Sequence, residues 1–134
     1  MSETARVTEA LERGIGRLVQ RLGLDVNANL IARTPVDTGW ARANWLASIG
    51  APIERDLSAV DPNTGIISSA RGEQASGQAA IATRYNINQG SIFIVNNVPY
   101  IIFLNFGSSA QAPAMFVEQA ISDAITGLNG AVIR

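Results

Sequence analysis

Apolar residues recur at spacings of three and four from Val7 through Leu11, Ile15, Leu18, Leu22 and Val26 to Leu30, which predicts one amphipathic helix over residues 4–32. Gly14, Gly16 and Gly23 fall inside it. Each glycine costs about 1 kcal/mol against alanine in a helix interior, so either tertiary packing supports this helix or a neighbouring backbone approaches at the glycines. On its polar side Arg13, Arg17 and Arg21 stand one turn apart, with Glu9 one turn before Arg13. Such a stripe suits a solvated face, an inter-subunit pairing or, less readily, DNA contact.

Thr34-Pro35-Val36-Asp37-Thr38-Gly39 then reads as a stop and a turn. A residue before proline avoids the helical region, Asp37 can accept backbone N–H groups, and Gly39 tolerates positive φ. From Trp40 to Ile49 the pattern changes to strict alternation. Ala41, Ala43, Trp45, Ala47 and Ile49 fall on one side, and Trp40, Arg42, Asn44, Leu46 and Ser48 on the other, which predicts a strand with Trp45 in the core and Trp40 on the wetter face. Gly50 to Gly65, with Pro52 and the Asp61-Pro62-Asn63-Thr64-Gly65 turn, reads as a long exposed loop with room for one further strand. Ala70, Ala75, Ala79 and Ala82 suggest a helix from Ile66 to Tyr85, interrupted near Gly72 or Gly77. Ser91 to Val95 is a short buried strand, introduced by the Asn88-Gln89-Gly90 turn and ended by Asn96-Asn97.

Tyr85 to Val117 contains no Asp, Glu, Lys or Arg, a run of 33 residues (117 − 85 + 1) in a chain that is 16% charged. Charged residues are depleted both from cores and from interface centres, so this run is expected to be buried partly in the fold and partly against another subunit. Within it, Pro99 suits the first position of a helical turn, Tyr100 to Phe106 forms a short apolar helix, and Gly107 caps it in the left-handed conformation. Ser108 to Ala112 is a polar loop. Pro113 opens a second helix in which Met115, Phe116, Ala120, Ala124 and Leu128 recur at helical spacing, with Val117, Ile121 and Ile125 widening the stripe. The expected fold class is α+β: a long N-terminal helix, a small and mostly antiparallel sheet, and a C-terminal packing helix.

At 134 residues the chain suits one domain, 1–134. It has neither Cys nor His, which removes Cys/His zinc sites, thiol nucleophiles and Ser-His-Asp triads, and no cofactor motif appears. Ten arginines, no lysine and eleven acids leave a net charge of −1 and a pI near 5.3, so no global basic field recruits nucleic acid. No apolar run reaches about 18 residues and the N-terminus lacks a signal-peptide pattern, so neither a membrane span nor export is expected.

Two blocks of residues carry a resemblance. Asn97, Pro99-Tyr100, Leu104-Asn105, Gly107, Ser109, Gln111-Ala112-Pro113, Val117-Glu118 and Ala120-Ile121 are similar to the N-x-P-Y…L-[NE]-x-G-x-S-x-Q-A-P…V-E-x-A-[IV] signature of the tail-completion, or neck, proteins of tailed bacteriophages. Upstream, Arg33-Thr34-Pro35-Val36-Asp37-Thr38-Gly39 followed by Ala41-Arg42-Ala43-Asn44-Trp45 resembles the T-P-V-D-T-G-x-[AL]-R-x-[NS]-W of the same family. The chain departs from that pattern near Asn105 and at Trp40, both times by losing a charge. The resemblance implies a non-enzymatic virion protein, assembled in the host cytoplasm. It would form a homo-oligomeric ring at the head-tail connector, meet adjacent head-connector and tail proteins, and let genomic DNA pass without sequence-specific contact. Trp40, Tyr100, Phe103, Phe106 and Gln111 are the expected interface residues, with Pro35, Asp37, Gly39, Pro99, Gly107 and Pro113 as turns and caps. A tail terminator or minor tail component fits the same residues. A cell-wall hydrolase working through paired carboxylates would have Asp37 and Glu118 as its pair.

Overall fold

A computed structural model describes residues 2–34, 40–54, 66–107 and 115–133. Helix α1 spans Glu3–Arg33, and Ser2 starts it by accepting the Ala5 N–H (3.1 Å). Thr34 ends it in an extended conformation, as the residue before a proline must. The Thr34 hydroxyl donates to the Leu30 carbonyl (2.5 Å) and accepts the indole N–H of Trp45 (2.6 Å), so the helix stop and the core tryptophan are fixed together. Pro35, Asp37 and Gly39 lie outside the described residues.

The expected strand from Trp40 to Ile49 is in fact two elements, helix α2 (Trp40–Ala43) and strand β1 (Leu46–Ile49). Ala41, Ala43, Asn44, Trp45, Leu46 and Ala47 are all buried, so the alternation of small residues carried no information about sides. Asn44 and Leu46, read as facing water, are among the most buried side chains. Carbonyls that a longer strand would have paired are taken by side-chain amides instead: Gln74 donates to Arg42 O (3.0 Å) and Trp45 O (3.1 Å), and Asn96 to Ala41 O (2.8 Å).

Helix α3 (Ile66–Arg84) is continuous through Gly72 and Gly77, against the expected interruption. Ala75, Ala79 and Ala82 face outward. The packed face is built instead from Gln74, Gly77, Gln78 and Ile81, at spacings of three and four. Ile81 is fully buried, Gln78 accepts from Asn27 of α1 (2.5 Å), and Gly77 lies directly over the Ala47 carbonyl of β1. Gln20 of α1 reaches across to Ile81 O (2.7 Å) and Ala82 O (3.0 Å).

After a single 3-10 turn (Ile87–Gln89), held by reciprocal Asn86 and Gln89 bonds, comes β2 (Ile92–Val95). It runs antiparallel to β1 in the register Leu46 to Val95 through Ile49 to Ile92. Among the described residues these two strands form the whole sheet, so no further strand appears in the described part of the Gly50–Gly65 stretch; residues 55–65 lie outside the description. Two of the three α1 glycines are explained by this layer, since a Cβ at Gly16 would stand 3.7 Å from Ile87 N and one at Gly23 3.0 Å from Ile92 Cδ1. Gly14 has nothing within 4 Å.

Helix α4 (Ile101–Asn105) and helix α5 (Phe116–Ile133) complete the chain. Leu30, Trp45, Phe116 and Ala120 form the core cluster, and Val26, Ile31, Ile94, Ile101, Leu104 and Val117 pack around it. Asn29 donates to Ala120 O (3.2 Å) and Arg33 pairs with Asp123, so α5 runs parallel to the last two turns of α1 and continues past its end. Met115 is not part of α5 as expected. It precedes the helix at φ 65°, a left-handed backbone that non-glycine residues seldom adopt, and its side chain is exposed.

The Arg33 guanidinium, and secondarily the Gln119 amide (3.1 Å), hydrogen-bond the Asp123 carboxylate and hold its pKa below the ordinary 3.8. A carboxyl whose folded pKa is depressed adds stability above its unfolded value and loses it as pH falls through the folded value. The difference in urea midpoint between wild type and Asp123→Asn should therefore be constant above about pH 5 and close as the pH is taken below the unfolded pKa. A difference that persists unchanged at the acid end would remove the ion pair from the account.

Candidate subunit interface

The described part of the charge-free run has buried and uncovered residues. Val98 is buried, and Ile101 N–H closes a turn onto Val98 O (3.2 Å) in which Pro99 holds the second position. Pro99 thus sits just before the helix rather than at its first residue; Tyr100 is the N-cap and is half-buried. Gly107 follows α4 at φ 93°, the positive value expected of its cap, with its N–H on Leu104 O (3.2 Å).

Helix α4 turns Ile101, Leu104 and Asn105 inward and presents Ile102, Phe103 and Phe106 to solvent, 63%, 67% and 65% exposed. Two phenylalanines and an isoleucine side by side at one short helix make an apolar face that nothing among the described residues covers. Ile102 and Phe106 also border an open groove of about 410 Å³ lined by Trp45, Asn96, Ile101, Asn105 and Val117. Of the expected interface residues, Phe103 and Phe106 share this face and Tyr100 lies at its start. Gln111 and Pro113 lie outside the described residues. Trp40 opens α2, and nothing is described of its side chain.

Asn105 fixes the angle at which this face is held. It is buried, its Oδ1 accepts the Val117 N–H (2.9 Å) at the start of α5, and its amide donates to both Glu118 oxygens (3.0 Å each). One neutral side chain thus satisfies a free donor at a helix N-terminus and binds a carboxylate placed where the helix dipole favours it. In the sequence Asn105 appeared as part of the Leu104-Asn105 motif match and as a lost charge, not as a joint between helices; an asparagine followed by a helix start a dozen residues later was the available signal. Glu118, the proposed hydrolase carboxylate, has both oxygens engaged in this bond, and Asp37 is not among the described residues.

The two motif blocks also meet in space. Thr34 and Trp45 come from the first, Ala120 from the second, and they close the same core, so many of these residues are explained by packing. Among the described residues no group of three or more acidic residues could hold a metal ion, and no helix is long and apolar enough to cross a membrane. No family model, curated protein or solved structure matches the chain.

Proposed function

We propose that this chain is a structural, non-enzymatic component of the head-tail connector of a tailed bacteriophage, assembling as a ring that joins or completes the head-tail junction around the DNA channel. The observation that carries this reading is the uncovered face Ile102, Phe103 and Phe106, which lies within the segment that resembles the neck proteins. A face of that kind suits permanent burial against a neighbouring subunit, with α4 held rigidly through Asn105 so that the contact needs little ordering. The near-neutral charge supports the same reading, since a channel wall rich in Lys and Arg would bind phosphates and resist the passage of DNA.

Phe106→Asp tests it. Because Phe106 is exposed, the variant should fold with unchanged circular dichroism and a melting temperature close to wild type. On assembly the new carboxylate would be desolvated without a partner at every subunit contact, at several kcal/mol each. Complementation of a phage lacking the gene should then yield DNA-filled heads and separate tails. Wild-type yields of joined particles from the folded variant would remove α4 from the assembly interface.

A further inference from the structure

Helix α1 carries a second uncovered apolar surface, at the opposite end of the helix from α5. Every residue from Ser2 to Ile15 is exposed. Along this arm Val7, Leu11, Ile15 and Leu18 are 55%, 60%, 48% and 37% exposed, although their spacing puts them on one side. That line continues through Leu22 and Val26, which wall an open groove with Ile92 and Ile94, and then onto the part of α1 that α5 covers. Since α5 starts beside Val26 and runs the other way, the chain has nothing described to lay over the arm. Isolated helices shorter than about 12–15 residues are marginal in water, and this one is weakened further by Gly14 and by two threonines. Such an arm is stable when another helix lies along it.

Its charges say which helix. From Glu3 to Glu12 there are three glutamates and one arginine, whereas Arg13, Arg17 and Arg21 follow with no acid before Asp25. A parallel copy would set like against like; an antiparallel copy sets the acidic half against the basic half. We propose that the α1 arm pairs antiparallel with the same arm of a second copy of this chain. In a register centred between Glu12 and Arg13, Val7 faces Leu18, and Leu11 faces Gly14, whose missing side chain leaves the space a leucine needs and which has no other neighbour. Glu3 and Arg21 are eighteen residues apart, five full turns, so they lie on one edge of the stripe. In this register each Glu3 comes beside the partner's Arg21 edge, where Arg21 already touches Asp25 of its own helix (3.6 Å).

The pairing uses a surface distinct from α4 and stands whether or not the neck assignment does. Free in solution, outside any assembled ring, the 134-residue chain should sediment at twice 14.2 kDa, and Leu11→Asp at 14.2 kDa with its core and melting transition retained, while Phe106→Asp stays dimeric. Glu3→Arg and Arg21→Glu should each weaken the dimer by roughly tenfold at low salt, and the double exchange should restore it. The chain has no cysteine, so orientation can be read directly. A mixture of Val7→Cys and Leu18→Cys proteins should form the mixed disulfide, and neither alone should cross-link. A wild-type protein that stays monomeric at its solubility limit, a Leu11→Asp variant that keeps the dimer, or self-linking of Val7→Cys would each overturn the proposal. The first of these would leave the arm to a different protein.

Discussion

Phe116→Ala should destabilise the protein by about 3–5 kcal/mol, the range for truncating a fully buried phenylalanine where the surroundings cannot collapse. Phe116 is the largest of the fully buried side chains and joins Leu30 and Trp45 across the α1–α5 contact. Its neighbours are tied to the Thr34 hydroxyl, Leu30 through its carbonyl and Trp45 through its indole N–H, which restrains them from moving in to fill the cavity. Since domains of this kind have about 5–15 kcal/mol of stability, the variant would unfold well below the wild-type midpoint in urea. Phe106→Ala, ten residues away in the same charge-free run, should change stability by no more than about 0.5 kcal/mol, because that side chain is already in water. Equal losses from the two would mean that the run is not divided between core and surface as described.

Gly77→Ala is the second large effect, and its sign runs against helix propensity. Alanine gains about 1 kcal/mol over glycine in a helix interior. At Gly77, however, the new methyl would press on the Ala47 carbonyl oxygen at a distance real Cβ atoms do not show, and that oxygen belongs to strand backbone held by β2 and cannot rotate away. Overpacking of this kind costs about 1–3 kcal/mol, and a clash with backbone belongs at the upper end or beyond. A net loss of roughly 2 kcal/mol should lower the melting temperature by on the order of 5–10 °C. Gly72, in the same helix with nothing within 4 Å, is the internal control, and Gly72→Ala should raise the melting temperature slightly. If both variants are stabilised, α3 does not rest on β1 through Gly77.

These two positions also show what the sequence made legible. Phe116 was readable because it falls in the apolar period of α5, as α1 was from its own period, while β2, α4 and the Gly107 cap were readable from the turn residues, the proline and the glycine that bound them. The packed face of α3 was not, since it is made of glutamines and a glycine, which carry no apolar period. Of the alanines that did recur, Ala75, Ala79 and Ala82 face water. Helix α2 was hidden because small residues buried on every side mimic the alternation of a strand. At the candidate interface, the lack of charge runs through the whole segment, so it could not say which side of α4 was inside and which, with Phe103 and Phe106, was exposed. That is decided by Asn105, a polar residue whose bonds reach twelve and thirteen positions ahead. The α1 arm was illegible for a different reason: a stripe reads the same whether its cover is in the chain or in another molecule.

The amide clamps have a consequence for the medium in which the fold holds. Gln20, Asn29, Gln74, Asn96 and Asn97 each grip a backbone carbonyl of another segment, at 2.7–3.2 Å. An amide meeting a carbonyl is a contact between uncharged dipoles. Mobile ions screen charges over a Debye length of about 8 Å at physiological strength, but they have little purchase on such short dipolar contacts, which also take up and release no protons. The amide joints of α1 with α3, and of α3 and the residues after β2 with the segment around β1, therefore stay closed at high and low ionic strength alike, whereas the α1–α5 contact also carries the Arg33–Asp123 pair and responds to salt and acid.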